Sequence, residues 1–449
     1  MIVEVTGAPP PLERTFVRDL ADRVGDQVRV CGWAYAVGDG DVAAAPITLR
    51  DHTGLVDLVD VVDRGGREVA GHQGPVIRES AIEATGTVDG SGAGAGVVRI
   101  VLDRLRVLGP ALGPPPVDEQ ASLEARLDWR HLDLRHPRNR LIFEVQTTVE
   151  RAMREWWGRQ GFLELHSPKF RAGPNMSGRE LFTVDYFGRP AYLAQSPQFY
   201  KQMAMCAGFE RVFEFGPVFR ANPHVTARHD TEFVSVDVEM SWIESHEEVM
   251  AVEERWLRHV VATVEGDHGH EIARLFGRVV TVPDVPFPRV TMADARRMLA
   301  RMGHRSAGPG AVEGDIDAEG ERLLAEHVAA EHGHELVFVT EYPAAVRPFY
   351  HMRLEDGSNL TRGFDLLWNG MEVTTGAQRE HRHDRLSAQA GADPSRIEVI
   401  QPYLDFFRHG CPPHGGFGLG LSRVLMCLLG SADVREVTFL HRDRNRLSP

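Results

Sequence analysis

The sequence predicts an α+β protein, with a small closed β-barrel at its N-terminus and a larger domain built on an antiparallel sheet. The chain has 449 residues, more than one ordinary hydrophobic core serves. Up to about residue 108 it reads as short strands, VRVCGWAYAV, APITLRDHTGLVDLVDVV, AIEATGTV and GVVRIVLDRLRVL, separated by Gly, Asp and Ser turns. Runs that short and evenly spaced close most simply into a barrel. Beyond about residue 121 strands are grouped with hairpin turns, without the regular strand–helix alternation of a parallel sheet.

Between the two lies GPALGPPPVDEQ, residues 109–120, whose proline and glycine make a stiff connection. The expected boundaries are a barrel over 1–108, a linker over 109–135 and the larger domain over 136–449. Ile142, Val145, Val149, Met153 and Trp156 recur at steps of three and four, which predicts an amphipathic helix that Gly161 ends. Strands are expected from about 162 to 242 and from 336 to 375. Helices are expected at 245–265, in a pair over 291–333, and at 421–429. There is no internal repeat.

Composition narrows the function. Apolar residues make 43% and charged residues 25%, the mix of a soluble globular protein rather than a disordered or fibrous one. No run approaches the roughly 18 apolar residues of a membrane span. The start, MIVEVTGAPPPLERTF, has neither the basic nor the apolar stretch of a secretory signal. Cys31, Cys206, Cys411 and Cys427 are scattered without CxxC spacing, so a reducing cytoplasm is expected, with no zinc site and no disulfide framework. The net charge of -14 gives no global reason to bind nucleic acid, although a local basic groove could. Lysine occurs only at 169 and 201, against a strong bias toward arginine, which singles out both positions.

Three constellations carry chemistry. In VFEFGPVFR and FVSVDVEMSW strict alternation makes two half-buried strands. Arg220, Asp237 and Glu239 then line one wet floor above an apolar core, and the loop between the strands carries Arg228, His229 and Glu232. In GFDLLWNGMEVTTGAQR, Asn369-Gly370 is a hairpin turn that sets Leu367 opposite Glu372. Asp365 and Glu372 become diagonal neighbours on one surface. Two carboxylates that close need a cation between them, either a magnesium ion shared with phosphates or nearby arginines. In HGGFGLGLSRVLM, glycines precede a helix with Arg423 in its first turn, a candidate anion nest. The HRHD tract at 381–384 reads as solvated surface.

Taken in order, these pieces resemble the class II aminoacyl-tRNA synthetases, subclass b. GFLELHSPKF, with Pro168, resembles motif 1, the dimer element; FRANPHVTARHDTEF resembles motif 2; GLGLSR resembles motif 3. LDLRHPRNR, YLAQSPQFYKQM, FEFGPVFRA, TEYPAAVRPFY and GAQR resemble the compact, archaeal-type aspartyl enzymes along nearly the whole chain. The resemblance implies an N-terminal OB-fold that binds the anticodon, an antiparallel catalytic sheet, and a cytoplasmic homodimer built through residues 141–159 and GFLELHSPKF. It implies ATP and Mg²⁺ as cofactors and L-aspartate and tRNA as partners, with no membrane.

The same resemblance assigns residues. Arg220 would clamp the α-phosphate and stabilise charge growing there. Arg423 would stack on adenine and reach the γ-phosphate, Phe233 would cover the other adenine face, and Arg228 and His229 would touch the outer phosphates. Asn222, Asp230, Glu372 and Gly420 would complete the ATP site. Asp365 and Glu372 would hold magnesium, with Thr375 beside them. Gln198, Lys201, Asp237, Thr375, Arg379 and Met176 would form the amino-acid pocket. There Lys201 and Arg379 would meet a side-chain carboxylate and Asp237 the ammonium group, which fits aspartate better than asparagine.

The sequence also departs from the family pattern. Asn222 stands where motif 2 has glutamate, and Ser422 where motif 3 has one. Met176 stands where a glutamate would face the substrate ammonium. In the barrel, Pro46 and Asp57 occupy the positions of an aromatic residue and a glutamine that read the anticodon, and residues 1–110 hold 16 acidic against 11 basic residues. Three readings follow: an aspartate–tRNA ligase; a paralogue that passes the aspartyl group to a non-tRNA acceptor in biosynthesis; and a non-catalytic sensor of aspartate or ATP.

Overall fold

The structure, a computed structural model, describes residues 12–37, 47–59, 69–70, 76–90, 97–118, 120–173, 181–304, 314–391 and 394–448. The chain divides between Pro137 and Arg138 into two compact units. Among the described residues no helix is long and apolar enough to cross a membrane.

The first unit is the expected barrel. Its strands are β1 (Gln27–Val37), β2 (Ile47–Arg50), β3 (Leu55–Val59), β4 (Val69–Ala70), β5 (Ala81–Asp89) and β6 (Arg99–Gly109). They run β3-β2-β1-β5-β6-β4, and β3 also pairs parallel with β6, which closes the sheet in the manner of an OB-fold. Alternate residues point inward, so Val28, Val30, Leu49, Leu58, Ile82, Ile100 and Leu105 fill the interior. Closure needs sharp coiling, and glycine supplies it. A Cβ on Gly86 would lie 2.1 Å from the Val101 carbonyl oxygen, beside a register shift in the β5–β6 pairing. Helices α1 (Leu123–Asp128) and α2 (Arg130–Asp133) occupy part of the stretch read from sequence as a plain linker.

The second unit opens with α3 (Pro137–Arg159), β7 (Leu163–Glu164), β8 (Phe170–Arg171), β9 (Thr183–Tyr186), β10 (Arg189–Leu193) and α4 (Gln198–Cys206). Next come β11 (Arg211–Phe219), β12 (Glu232–Ser241), α5 (His246–Phe276), β13 (Arg289–Thr291), α6 (Met292–Arg301), α7 (Ala318–His332) and β14 (Leu336–Thr340). It closes with β15 (Gly363–Trp368), β16 (Met371–Gln378), α8 (His383–Ala390), α9 (Pro394–Phe406), β17 (His414–Gly420), α10 (Leu421–Leu429) and α11 (Val434–Val437). Eight strands form the sheet β13-β14-β15-β16-β17-β12-β11-β7, antiparallel except at β13–β14 and β7–β11. This is the antiparallel α+β architecture read from the sequence.

One face of the sheet is dry. Val236, Val238 and Met240 of β12 and Phe417 and Leu419 of β17 pack against α3, α5 and α10. The apolar stripe of α3 runs through Ile142, Val145, Val149 and Met153 as expected, and ends on Trp157, fully buried, with Trp156 partly buried against the same core. Steps of three and four from Met153 reach both tryptophans, and the helix phase buries the second against Trp256, ring centres 5.0 Å apart. This stripe is therefore consumed by the unit's own core. Helices α8 and α9 were not anticipated. Ile400, Tyr403, Leu404 and Phe407 keep helical spacing and are buried with Phe199, but Pro402 inside α9 hides the pattern.

Candidate active site

The opposite face of the sheet holds the site. The register sets Asp237 beside Gly418 and Glu239 beside Gly416, and sets Thr375 and Ala377 on the far side of the same two glycines. Because alternate residues share a face, Gly416, Gly418 and Gly420 pave a strip without side chains between β12 and β16. The strip is forced at Gly416, where a Cβ would lie 2.0 Å from the Val238 carbonyl oxygen. At Gly418 a Cβ would lie 3.1 Å from Asp237 Oδ1. A flat floor a ligand can lie on follows from local packing.

One end of the floor is a buried ionic cluster. Gln198 and Lys201 share the buried face of α4, a helix within the stretch expected to be strands. Lys201 Nζ lies 3.0 Å from Asp237 Oδ1 and 3.2 Å from Glu239 Oε2, and donates to the Phe417 carbonyl at 3.0 Å. Arg379 donates from Nε to Glu239 Oε1 at 3.0 Å and from Nη2 to the Gly416 carbonyl at 2.8 Å. Glu239 is fully buried and Asp237 4% exposed, so the wet floor expected here is wrong: both carboxylates lie in a dry ionic layer. Burial pushes the Glu239 pKa up, but the charges of Arg379 and Lys201 outweigh it and hold the carboxyl below its ordinary value. Gln198 donates to Gln202 at 3.0 Å, and Gln202 meets His414 Nε2 at 3.0 Å. Burial pushes His414 down to about 4, leaving a neutral imidazole whose Nδ1 faces the Pro412 carbonyl at 2.8 Å.

The other end gathers arginines and carboxylates. The Arg220 guanidinium lies over the Phe233 ring at 5.1 Å. Arg423, in the first turn of α10, donates to the Glu372 carbonyl at 2.6 Å and approaches His229 Nε2 at 3.5 Å. The hairpin turn is as predicted, with φ of 49° at Asn369 and 75° at Gly370, and Leu367 faces Glu372. A bulge between Leu366 and Leu367 then sets Asp365 opposite Thr375. Thr375 donates to Glu372 Oε1 at 2.8 Å. Asp365 pairs with Arg347 through Oδ2, while its buried Oδ1 accepts no hydrogen bond. Burial and the neighbouring Glu372 raise Asp365, with Arg347 opposing; Glu372, by Arg423 and Thr375, is held low against its burial. The arginines that could neutralise this pair are thus present, and one carboxylate oxygen is left over.

Some expectations fail or fall outside these groups. Asp230 does not face the floor: it is buried against His441. Asn222 donates to the Asp230 carbonyl at 3.2 Å, so it braces the loop. Ser422 lies beside Arg423 in the first turn of α10. Asp57 is exposed on the barrel and accepts from Thr48 at 2.7 Å. Met176 and Pro46 lie outside the described residues.

Sequence reasoning also missed residues. Glu321, in the first turn of α7, lies 3.2 Å from Arg228 Nη1. Burial and the charge of Glu372 push its pKa up to about 8. Arg347 and His351 were missed as well. His351 is buried at 3.3 Å from Arg379 Nη1 and, by burial and the neighbouring arginines, held well below the ordinary imidazole value. Arg347 lies within the TEYPAAVRPFY string that carries the resemblance, whereas no local motif marks Glu321 or His351. The signal for Glu239 was its alternation with Asp237.

Comparison with known proteins agrees with this geometry. The family described as tRNA synthetases class II (D, K and N) matches residues 122–444. The aspartate–tRNA(Asp/Asn) ligase of Aeropyrum pernix is 40% identical over 98% of this chain and 100% of its own length. The aspartate–tRNA(Asp) ligase of Pyrococcus abyssi is 39% identical over 95% of this chain and 97% of its own. Among solved structures, asparaginyl-tRNA synthetase from Pyrococcus horikoshii, complexed with asparaginyl-adenylate, superposes with a TM-score of 0.85 at 29% identity, covering 97% of this chain and 100% of that one. The aspartyl-tRNA synthetase of Entamoeba histolytica gives 0.83 at 28% identity, covering 100% and 96%. A glycine-paved antiparallel floor between a buried Lys–Arg pair and an arginine cluster, on a chain matched end to end by these relatives, places this protein in the class II tRNA synthetase family of the D, K and N group.

Proposed function

We propose that this chain is an aspartate–tRNA ligase. An oxygen of the aspartate α-carboxylate attacks the α-phosphorus of ATP, pyrophosphate leaves, and the aspartyl group then passes from the adenylate to a ribose hydroxyl of tRNA, releasing AMP. The observation that carries the reading is the convergence of two buried cations, Lys201 and Arg379, at one end of the floor. A second carboxylate on the substrate is the group such a pair selects, because a neutral amide would leave their charge less compensated. Asp237 is the remaining anion for the substrate ammonium, with Gln198 and Thr375 in the same pocket.

Arg220 is assigned the α-phosphate, where charge grows as the bond forms. Arg423 and Phe233 are assigned the adenine, with Arg423 also reaching the γ-phosphate, Arg228 and His229 the outer phosphates, and Gly420 a place in the ATP site. The residues fit a magnesium ion: the buried Asp365 Oδ1 lacks a partner and Glu372 lies beside it, two carboxylates of the kind that bind magnesium together with phosphates. When bound, the ion neutralises phosphate charge. The protein's own part is to orient the two reactants, and little covalent help is required. A reducing cytoplasm belongs to this reading through the scattered cysteines, which lack CxxC spacing. A two-fold homodimer belongs to this reading through the motif 1 resemblance.

Pyrophosphate exchange across all amino acids, with and without bulk tRNA, tests the reading. Aspartate is expected to exchange best. Faster exchange with asparagine or another neutral amino acid would refute the pocket assignment.

A further inference from the structure

The loop between β11 and β12 carries Arg228 and His229, yet residues 223–227 are exposed and add nothing to a core. Besides the Asn222 bond and the Arg228–Glu321 pair, it is held by the far end of the chain. The backbone N–H of Val434 donates to the Ala227 carbonyl at 2.8 Å, and the N–H of Thr231 donates to the Arg442 carbonyl at 3.0 Å. The Thr231 hydroxyl adds a second bond to that carbonyl at 2.9 Å, and Arg444 reaches the Pro223 carbonyl at 3.4 Å.

The centre of this seam is His441, fully buried between two carboxylates. Its Nδ1 meets Asp230 Oδ1 and its Nε2 lies 3.0 Å from Asp443 Oδ2. A neutral imidazole carries one N–H and could serve only one of them; two carboxylate partners require both nitrogens to donate, which is the imidazolium. Asp443 cannot easily turn away, because its other oxygen accepts from the backbone N–H groups of Asn445 at 2.7 Å and Arg446 at 2.9 Å. Arg442 donates to the His441 carbonyl at 3.1 Å, and Asp433, at the start of α11, adds a further negative charge nearby.

We propose that the His441 imidazolium is a positioning group: it clamps the Arg228–His229 loop to the C-terminal segment and thereby sets affinity for the nucleotide. The nucleotide part rests on the assignment of Arg228 and His229 to the phosphates. Burial works against charge on His441, but the bonds and charges of Asp230 and Asp443 outweigh it and raise its pKa above the ordinary value. The sign follows: the clamp is fully present below the ordinary histidine value and is lost as pH rises through the elevated native one.

Amide hydrogen exchange over residues 224–231 of the free enzyme reads the clamp directly, without substrate, so a failure of aspartate activation leaves this test standing. In His441→Leu, exchange there should quicken about tenfold, and KM for ATP should rise about tenfold with kcat within about twofold, the loss expected for charge-assisted bonds. His441→Gln keeps one donor and should fall between; it also serves if the leucine variant does not fold. From pH 6 to 9 the wild type should gain loop exchange beyond the intrinsic base-catalysed rise, and neither variant should. Unchanged exchange in a folded variant overturns the clamp. Faster exchange with an unchanged KM for ATP overturns its link to the nucleotide.

Discussion

At the scale of single residues, the buried ionic layer decides the outcome of substitutions. Lys201 and Arg379 share Glu239, and Lys201 also holds Asp237. Lys201→Ala leaves two buried carboxylates facing one cation, which costs about 3–5 kcal/mol of stability. It also removes a partner of the substrate side chain, so kcat/KM for aspartate-dependent pyrophosphate exchange should fall by about a thousandfold or more. Exchange kinetics together with a denaturant midpoint measure both, and near-normal exchange would disprove the pocket. A different carboxylate supplies a pH test. Glu253, buried in α5, accepts from Thr374 at 2.6 Å through Oε1, its Oε2 has no partner, and burial pushes its pKa up to about 8. Between the ordinary carboxylate value and about 8 the native state holds a proton that the unfolded chain releases, so this group's contribution to stability falls as pH rises across that window. Glu253→Gln imitates the protonated acid. Wild type and variant should have similar urea midpoints near pH 5. The variant should gain on the wild type by up to about 1.4 kcal/mol per pH unit up to pH 8. Parallel pH curves would show that Glu253 is ionised in the native state.

At the scale of elements, β17 gives the site its floor because it lacks side chains on one face. Gly416→Ala would force a Cβ to 2.0 Å from backbone, so the chain should not fold normally. Gly418→Ala meets the Asp237 carboxylate, nearest at 3.1 Å to Oδ1, a contact relieved by a few tenths of an ångström. That variant should fold with a loss of about 1 kcal/mol, near the lower end for overpacking. Its methyl group would stand where the ligand lies, and KM for aspartate should rise about tenfold, since a small misplacement of the reactants is costly. A thermal melt and a pair of KM values decide it; an unchanged KM would place the substrate elsewhere.

At the scale of the whole molecule, the barrel matters through Pro46 and Asp57, its two departures from the pattern that the resemblance implies. Asp57 is exposed and accepts from Thr48, at the position where the resemblance implies a base-reading glutamine. An exposed carboxylate repels a phosphate backbone, and the aromatic stacking worth about 1–3 kcal/mol per base has no counterpart at proline 46. Changing one anticodon base in a cognate tRNA transcript should therefore lower aminoacylation by less than about tenfold, with binding that weakens steeply as salt rises. A hundredfold loss from such a change would mean that the barrel reads sequence after all.

By itself the sequence determined the classes of structure and the faces of the strands. Alternation in β12 sorted Val236, Val238 and Met240 into the core and Ser235, Asp237 and Glu239 onto the floor, and Asn369-Gly370 announced its turn. Those features are local: backbone geometry fixes which way alternate side chains point, whatever lies beyond. Partners are not local. Glu239 and Arg379 are 140 residues apart, Arg228 and Glu321 are 93 apart, and Asp230 and His441 are 211 apart. Only the strand order β16-β17-β12 brings Arg379 to Glu239, and only the return of the C-terminal segment to the loop turns Asp230 from an expected nucleotide contact into a buried anchor. Periodicity says which side chains share a face; which charge each one meets there is settled by long-range packing, because ion pairs form between elements that no local pattern connects.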